Sequence, residues 1–212
     1  MKRFVKHAIQ HALSCRRLMV RGPARSGSVA LTFDDGPHPQ YTERLLAVLG
    51  REGVRATFFL VGREVKKYPA LARAIVEGGH ALGNHSFAHG RPDGMSRRAL
   101  ADDMDLTTAA IQDATGVRTT LFRPPYGTVT LPLLLCAWSR ALSVVLWSAD
   151  SGDSMDEAPP AAFNGAVRSA RPGDILLFHD DCERTANELG GVIQSLKSRG
   201  LRFARIDDWV RS

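Results

Sequence analysis

Cysteine is scarce in this chain: three among 212 residues, Cys15, Cys136 and Cys182, far apart and without paired spacing. An odd count with no framework argues against a disulfide-stapled secreted protein and fits reduced, structural thiols. There is no apolar run of membrane-spanning length. No internal repeat, low-complexity tract or domain linker interrupts the chain. Its length and its 44% apolar content fit one globular domain with a sizeable core. Acidic residues are missing from the first 28 positions, which carry Lys2, Arg3, Lys6, Arg16, Arg17, Arg21 and Arg25. These seven of the 28 basic residues leave 21 basic against 22 acidic in the rest, so the net charge of +6 belongs to this stretch. Phe4 is the one Phe, Tyr or Trp among these charges, with no set of stacking aromatics between them, and no nucleic-acid partner is expected.

Residues 1–28 therefore read as a basic arm ahead of a domain over 29–212. The apolar residues Phe4, Val5, Ala8, Ile9, Ala12 and Leu13 are broken by Lys6, His7, Gln10 and His11. That is helical amphipathicity and not the continuous core of a signal peptide, so a cytoplasmic location is expected. A modest apolar face favours a helix packed on the domain. The other reading is a basic helix on an anionic membrane surface.

What is present begins with Thr32-Phe33-Asp34-Asp35-Gly36-Pro37. The preceding Val29-Ala30-Leu31 reads as a buried strand. Two adjacent carboxylates thus sit at a strand end, on a turn built from glycine and proline. Alternation along an extended backbone points them in different directions, one suited to a metal and one to proton transfer. His85-Ser86-Phe87-Ala88-His89 places two imidazoles at i and i+4, one face of a helical turn. One aspartate and two histidines make three protein ligands, the number typical of a catalytic zinc site with a position left for water.

Further along, Arg123-Pro124-Pro125-Tyr126-Gly127 follows the apolar Leu121-Phe122, and Val144-Val145-Leu146-Trp147 runs into Asp150-Ser151-Gly152-Asp153. Ile175-Leu176-Leu177-Phe178-His179 reads as a strand ending in an imidazole. Strands are expected near 29–33, 56–61, 81–83, 121–122, 143–147, 174–178 and 201–206. Helices are expected near 41–52, 64–77, 96–115, 131–140, 159–170 and 187–199. Strands alternating with helices point to a parallel sheet closed or nearly closed into a barrel. Every chemical candidate then falls at a strand C-terminal end, on one rim.

With these five motifs in order, the sequence resembles the polysaccharide deacetylase family, the NodB homology domain of carbohydrate esterase family 4, over roughly residues 29–206. The resemblance implies an α/β fold, a distorted (β/α) barrel with about seven parallel strands. It implies removal of acetyl groups, foremost N-acetyl, from an acetylated amino-sugar oligo- or polysaccharide. Asp35, His85 and His89 would hold one divalent cation, foremost Zn²⁺. Asp34 would act as base, with Arg123 beside it. The backbone N–H of Tyr126 would face the oxyanion, and Leu177 would form part of the wall for the acetyl methyl group. His179 would be the acid, oriented by Asp153, with Asp150 as the fallback. Two alternatives remain: a metal-dependent amidase for a small non-sugar amide, and a non-catalytic carbohydrate-binding relative. One position departs from the family pattern. Ser154 stands where a tryptophan usually follows the aspartate, which predicts a wider or more polar acyl pocket. Trp147, in a strand, and Trp209, near the C-terminus, are not expected to replace it.

Overall fold

A computed structural model describes residues 17–154, 165 and 169–211. Among them are nine short strands: β1 (Leu18–Met19), β2 (Ser28–Asp34), β3 (Thr57–Leu60), β4 (Ala81–Asn84), β5 (Leu121–Phe122), β6 (Ser143–Val145), β7 (Ala149–Asp150), β8 (Ile175–His179) and β9 (Arg202–Phe203). All their pairings are parallel. The order is β1-β6-β5-β4-β3-β2-β8-β7, and β9 pairs separately with the start of β2. The sheet curls as a barrel does, but its end strands β1 and β7 do not pair. About seven strands were expected, and two more are present among the described residues. The two additions, β1 and β7, are two residues each, too short to leave a periodic signal.

Seven α-helices whose bounds lie within the described residues pack outside the sheet: α1 (Thr42–Glu52), α2 (Gly62–Lys67), α3 (Pro69–Glu77), α4 (Arg97–Thr115), α5 (Leu131–Ser139), α6 (Glu183–Ser198) and α7 (Ile206–Arg211). Two of them start on side-chain caps. The Ser96 side chain caps α4 by accepting from the Ala99 amide, and Thr130 caps α5 from Leu133. One helix was expected over 64–77, and two are found. Tyr68 precedes Pro69, and proline disfavours the helical conformation at the residue before it. Tyr68 accordingly sits at φ −126° and ψ 56°. The last expected strand is reduced to β9, because Ile206 already opens α7. Of the helix expected at 159–170, Gly165 and Ser169 are described and helical, and most of the rest, like the helix in the arm's first 16 residues, lies outside the described residues. Within the remainder of the arm, β1 pairs with β6.

Strand parity places the site. Side chains alternate between the two faces of a strand. Val29, Leu31 and Phe33 of β2 face outward with Phe58, Leu60 and Phe178, against Leu45 and Leu49 of α1 and Leu189 and Ile193 of α6. The rings of Phe33 and Phe58 stack with centroids 4.9 Å apart. Fully burying each such side chain contributes about 1.5–3 kcal/mol. The opposite parity, Ala30, Phe59, Leu121, Val145 and Ile175, fills the inside of the curl with Met19, Ile206 and Trp209. Asp34 and His179 share the inward parity and are paired in register across β2 and β8. His85 and Arg123 have it too, one residue past the ends of β4 and β5. No helix among the described residues is long and apolar enough to cross a membrane.

Candidate active site

Asp34 is the last residue of β2, buried and facing inward. Asp35 follows with φ at 77°, in the left-handed region. That reversal breaks the strand's alternation, so both carboxylates turn into the same cleft and do not point apart. Gly36 is required behind them: the Asp180 carboxylate occupies the place where a Cβ would stand.

The histidine pair departs from expectation more clearly. Residues 85–89 form a loop and not a helical turn. Ser86 and His89 take φ of 67° and 55°. The Asn84 side chain accepts from the Ser86 amide, the Ser86 hydroxyl accepts from the His89 amide, and the Asp103 carboxylate of α4 accepts from the Phe87 amide. These three local bonds fold the loop, and the two imidazoles end 5.0 Å apart between centroids.

His85 Nδ1 lies 2.8 Å from the Arg123 carbonyl. A carbonyl only accepts, so Nδ1 carries the proton and the Nε2 lone pair faces the cleft. Burial lowers the pKa of His85 to about 3, so the ring is neutral. Its Nε2 is 3.5 Å from Asp35 Oδ1 and 3.6 Å from Asp34 Oδ2, while His89 Nε2 is 3.2 Å from Asp35 Oδ1. One ligand atom from each of Asp35, His85 and His89 falls within 4.8 Å of the others. Asp35 Oδ1 is buried yet accepts no hydrogen bond. A buried carboxylate oxygen without a donor, facing two imidazoles, fits a divalent cation.

Arg123 is fully buried. Nη1 donates to Asp34 Oδ1 at 2.7 Å and to the Thr32 hydroxyl at 2.8 Å, while Nε and Nη2 donate to the carbonyls of Val145 and Leu146. Its guanidinium lies 4.1 Å over the Phe59 ring. Burial raises the pKa of Asp34, against the pull of Arg123 and then His179. The guanidinium favours the ionised carboxylate, but desolvation outweighs it, and Asp34 becomes a stronger base.

His179 closes β8. Its Nδ1 lies 2.7 Å from Asp153 Oδ1, and its amide donates to Asp153 Oδ2 at 2.7 Å. The Thr185 hydroxyl of α6 also donates to Asp153 Oδ2. Burial alone would lower the pKa of His179, but the hydrogen bond and charge of Asp153, with Asp34 and Asp35, raise it to about 10. Burial would conversely raise Asp153, and the bonds from His179 and Thr185 hold it below the ordinary value. Asp150, the fallback, instead accepts from the Gly152 amide in its own turn.

Tyr126 takes φ 58° inside the Arg123–Gly127 turn, with its side chain 52% exposed. Its ring lies 4.8 Å from that of His89, and the guanidinium of Arg91 sits 4.4 Å over it. Leu177 is buried in β8, on the inward parity of His179. Ser154 lies exposed in a turn. Trp147 is closer to the chemistry than its strand position suggested. Its ring packs against Gly127 and lies 5.7 Å from the Arg123 guanidinium. Trp209 is buried on Gly22, in the apolar cluster with Met19 and Ile206. A cleft of about 320 Å³ opens beside Asp35 and His89, lined also by His38, Tyr68, Glu64 and Asp181.

Several supporting residues carried little sequence signal. Asn84 is one polar residue at the end of a buried strand, and Asp103 is one acid on a polar helix. Asp180, directly after His179, was the most visible. It is buried, accepts from Thr42 at 2.9 Å, and burial among neighbouring carboxylates pushes its pKa well up.

Residues 21–139 match the family model described as polysaccharide deacetylase. A peptidoglycan-N-acetylglucosamine deacetylase of Bacillus cereus is 30% identical over 189 residues, covering 87% of this chain and 69% of the relative. A Listeria monocytogenes protein of the same description is 35% identical over 180 residues, 85% of this chain, but the match spans only 38% of its own length. Among solved structures, a family 4 carbohydrate esterase pseudoenzyme from Bacillus anthracis superposes with a TM-score of 0.85 at 28% identity, over 92% of this chain and 69% of that one.

Proposed function

The chain belongs to the polysaccharide deacetylase family, and on that premise we propose that it hydrolyses the N-acetyl group of an amino-sugar polysaccharide. The observation that carries this reading is the buried, donor-free Asp35 Oδ1 facing His85 and His89, with Asp34 and His179 close by. A family neighbour that is a pseudoenzyme shows that fold alone does not imply activity. Here a base, an acid and three ligand-type residues are all present.

Asp35, His85 and His89 would hold the cation, foremost Zn²⁺. When bound, such a cation acidifies water and polarises a carbonyl. The chain's own residues supply the rest. Asp34 takes the proton of the attacking water, its basicity raised by burial and its position fixed by Arg123. The backbone N–H of Tyr126 stabilises the oxyanion that forms on the acetyl carbon. His179, kept cationic by Asp153, gives its Nε2 proton to the departing nitrogen as the C–N bond breaks. Acetate and a free sugar amine result.

Leu177 forms one apolar wall for the acetyl methyl. Trp147, packed on the turn that bears Tyr126, forms another in place of the indole missing at 154. The test is acetate release from an N-acetylglucosamine oligomer by zinc-loaded protein. Release lost on chelation and restored by zinc supports the reading. A folded, metal-loaded protein that releases none removes it. Its relatives' peptidoglycan is the first polymer to try.

A further inference from the structure

The rim of the site carries a stack that the chemistry above does not use. The rings of His85 and His89 adjoin, the Tyr126 ring lies on His89 at 4.8 Å, and the Arg91 guanidinium lies on Tyr126 at 4.4 Å. Arg91 is exposed, and no carboxylate among the described residues forms an ion pair with it. Asp93, two positions on, does not pair with it either. A guanidinium covered on one face by an aromatic ring keeps its in-plane N–H groups free. Those groups match a carboxylate in a two-pronged geometry.

The cleft beside the stack is lined by Asp181 and by Arg63 and Glu64 of α2, with Glu64 already engaged by Arg63 and Lys67. Lys66, also of α2, lies 5.2 Å over the Phe87 ring of the loop that leads to Arg91. Arg91 and Lys66 attract a negative substituent, and Asp181 repels one. Arg91 is two ring layers from the His85–His89 pair. A group on the reacting sugar, or on its neighbour, is within reach of it while the acetamide lies at Asp34.

The geometry points to Arg91 as a specificity residue that recognises a carboxylate carried by the substrate glycan close to the reacting acetamide. The preferred substrate is therefore an N-acetylated amino-sugar polymer with carboxylate substituents over a neutral one. This rests on the deacetylase reading and narrows it. Tyr126 has a second part here, as the platform that holds the guanidinium flat.

The experiment compares an N-acetylglucosamine oligomer with the same oligomer carboxymethylated on its hydroxyls. Wild type, Arg91→Ala, Arg91→Lys and Arg91→Glu are each loaded with zinc. Binding is followed by calorimetry and acetate release by kcat and KM. Wild type is expected to favour the carboxylated oligomer by about tenfold, the size of one good charge-assisted contact. Arg91→Ala should erase that preference through KM and Kd, with Arg91→Lys retaining part and Arg91→Glu reversing it. Added salt should weaken only the carboxylated substrate. Equal losses on both oligomers would make Arg91 a structural prop of Tyr126 and overturn the proposal, as would a preference unchanged in Arg91→Ala. If binding follows the expected pattern while no acetate is released, Arg91 keeps its role and the deacetylase reading fails alone.

Discussion

Asp34 and Asp35 are neighbours in the chain, and their surroundings differ. Asp34 is buried with its carboxylate on Arg123, whereas Asp35 turns out of the strand at positive φ toward two imidazoles. The pair can therefore be separated by substitution. Asp34→Asn removes the base and leaves the three ligands. It should retain one zinc per chain by elemental analysis and lose about 10²–10⁴-fold in kcat. Near-normal turnover with zinc in place would reassign the base. The acid offers a test by pH. A general acid acts in its protonated form, so activity is present below its pKa and lost as pH rises through it. With His179 raised to about 10, the alkaline limb of the wild-type profile should lie high. Asp153→Asn removes the charge that raises it. The limb should then move to lower pH, toward the ordinary histidine range near 6.5. An unmoved limb would mean that another group donates the proton.

The elements that carry these side chains differ in how visibly they were written. β2, β3 and β8 are apolar runs with fixed parity, and their ends could be placed to within a residue or two. Their strand-end positions placed Asp34, Arg123 and His179 on one rim; the structure adds that they share one parity, position 123 continuing β5 as 34 and 179 end β2 and β8. The loops were less legible. The i, i+4 spacing of His85 and His89 suggested a helix. Ser86 and His89 at positive φ, held by Asn84, Ser86 and Asp103, bring the rings together by another path. Two of these bonds span no more than three residues and the third reaches Asp103 on α4, and none of them leaves a periodic signal. The place of Trp147 is equally tertiary, since its nearness to Gly127 exists only once β5 and β6 are paired.

Arg123 shows what joins the strands: it links Thr32 and Asp34 of β2 to the chain at Val145 and Leu146. Arg123→Ala would strand a buried carboxylate and release two carbonyls. The expected cost is about 3–5 kcal/mol by denaturant unfolding, with activity lost as well. A variant as stable as wild type would show that Asp34 is reprotonated or solvated without harm. The acyl wall is tested on the loop after β6. Trp147→Ala should raise kcat/KM for a butyryl sugar relative to the acetyl one, by the 1–3 kcal/mol typical of apolar pockets. Ser154→Trp should shift preference the other way if position 154 faces the acyl group. An unchanged ratio in both variants would place the acyl wall elsewhere.

For the molecule as a whole, the curled parallel sheet gathers its chemistry on one rim, and the family match and the superposition describe the same fold. Its stability should depend on the cation. A ligand that binds only the folded state at 100 times its Kd stabilises by about 2.7 kcal/mol. Zinc should therefore raise the melting temperature of wild type and Asp34→Asn alike, and not that of His89→Ala. The most direct observation is anomalous diffraction at the zinc edge from crystals grown with the metal. One peak is expected, about 2.0–2.2 Å from Asp35, His85 Nε2 and His89 Nε2, with Asp34 free on Arg123. An empty cleft, or a peak held by Asp34 in place of Asp35, would contradict the division of labour on which the mechanism stands.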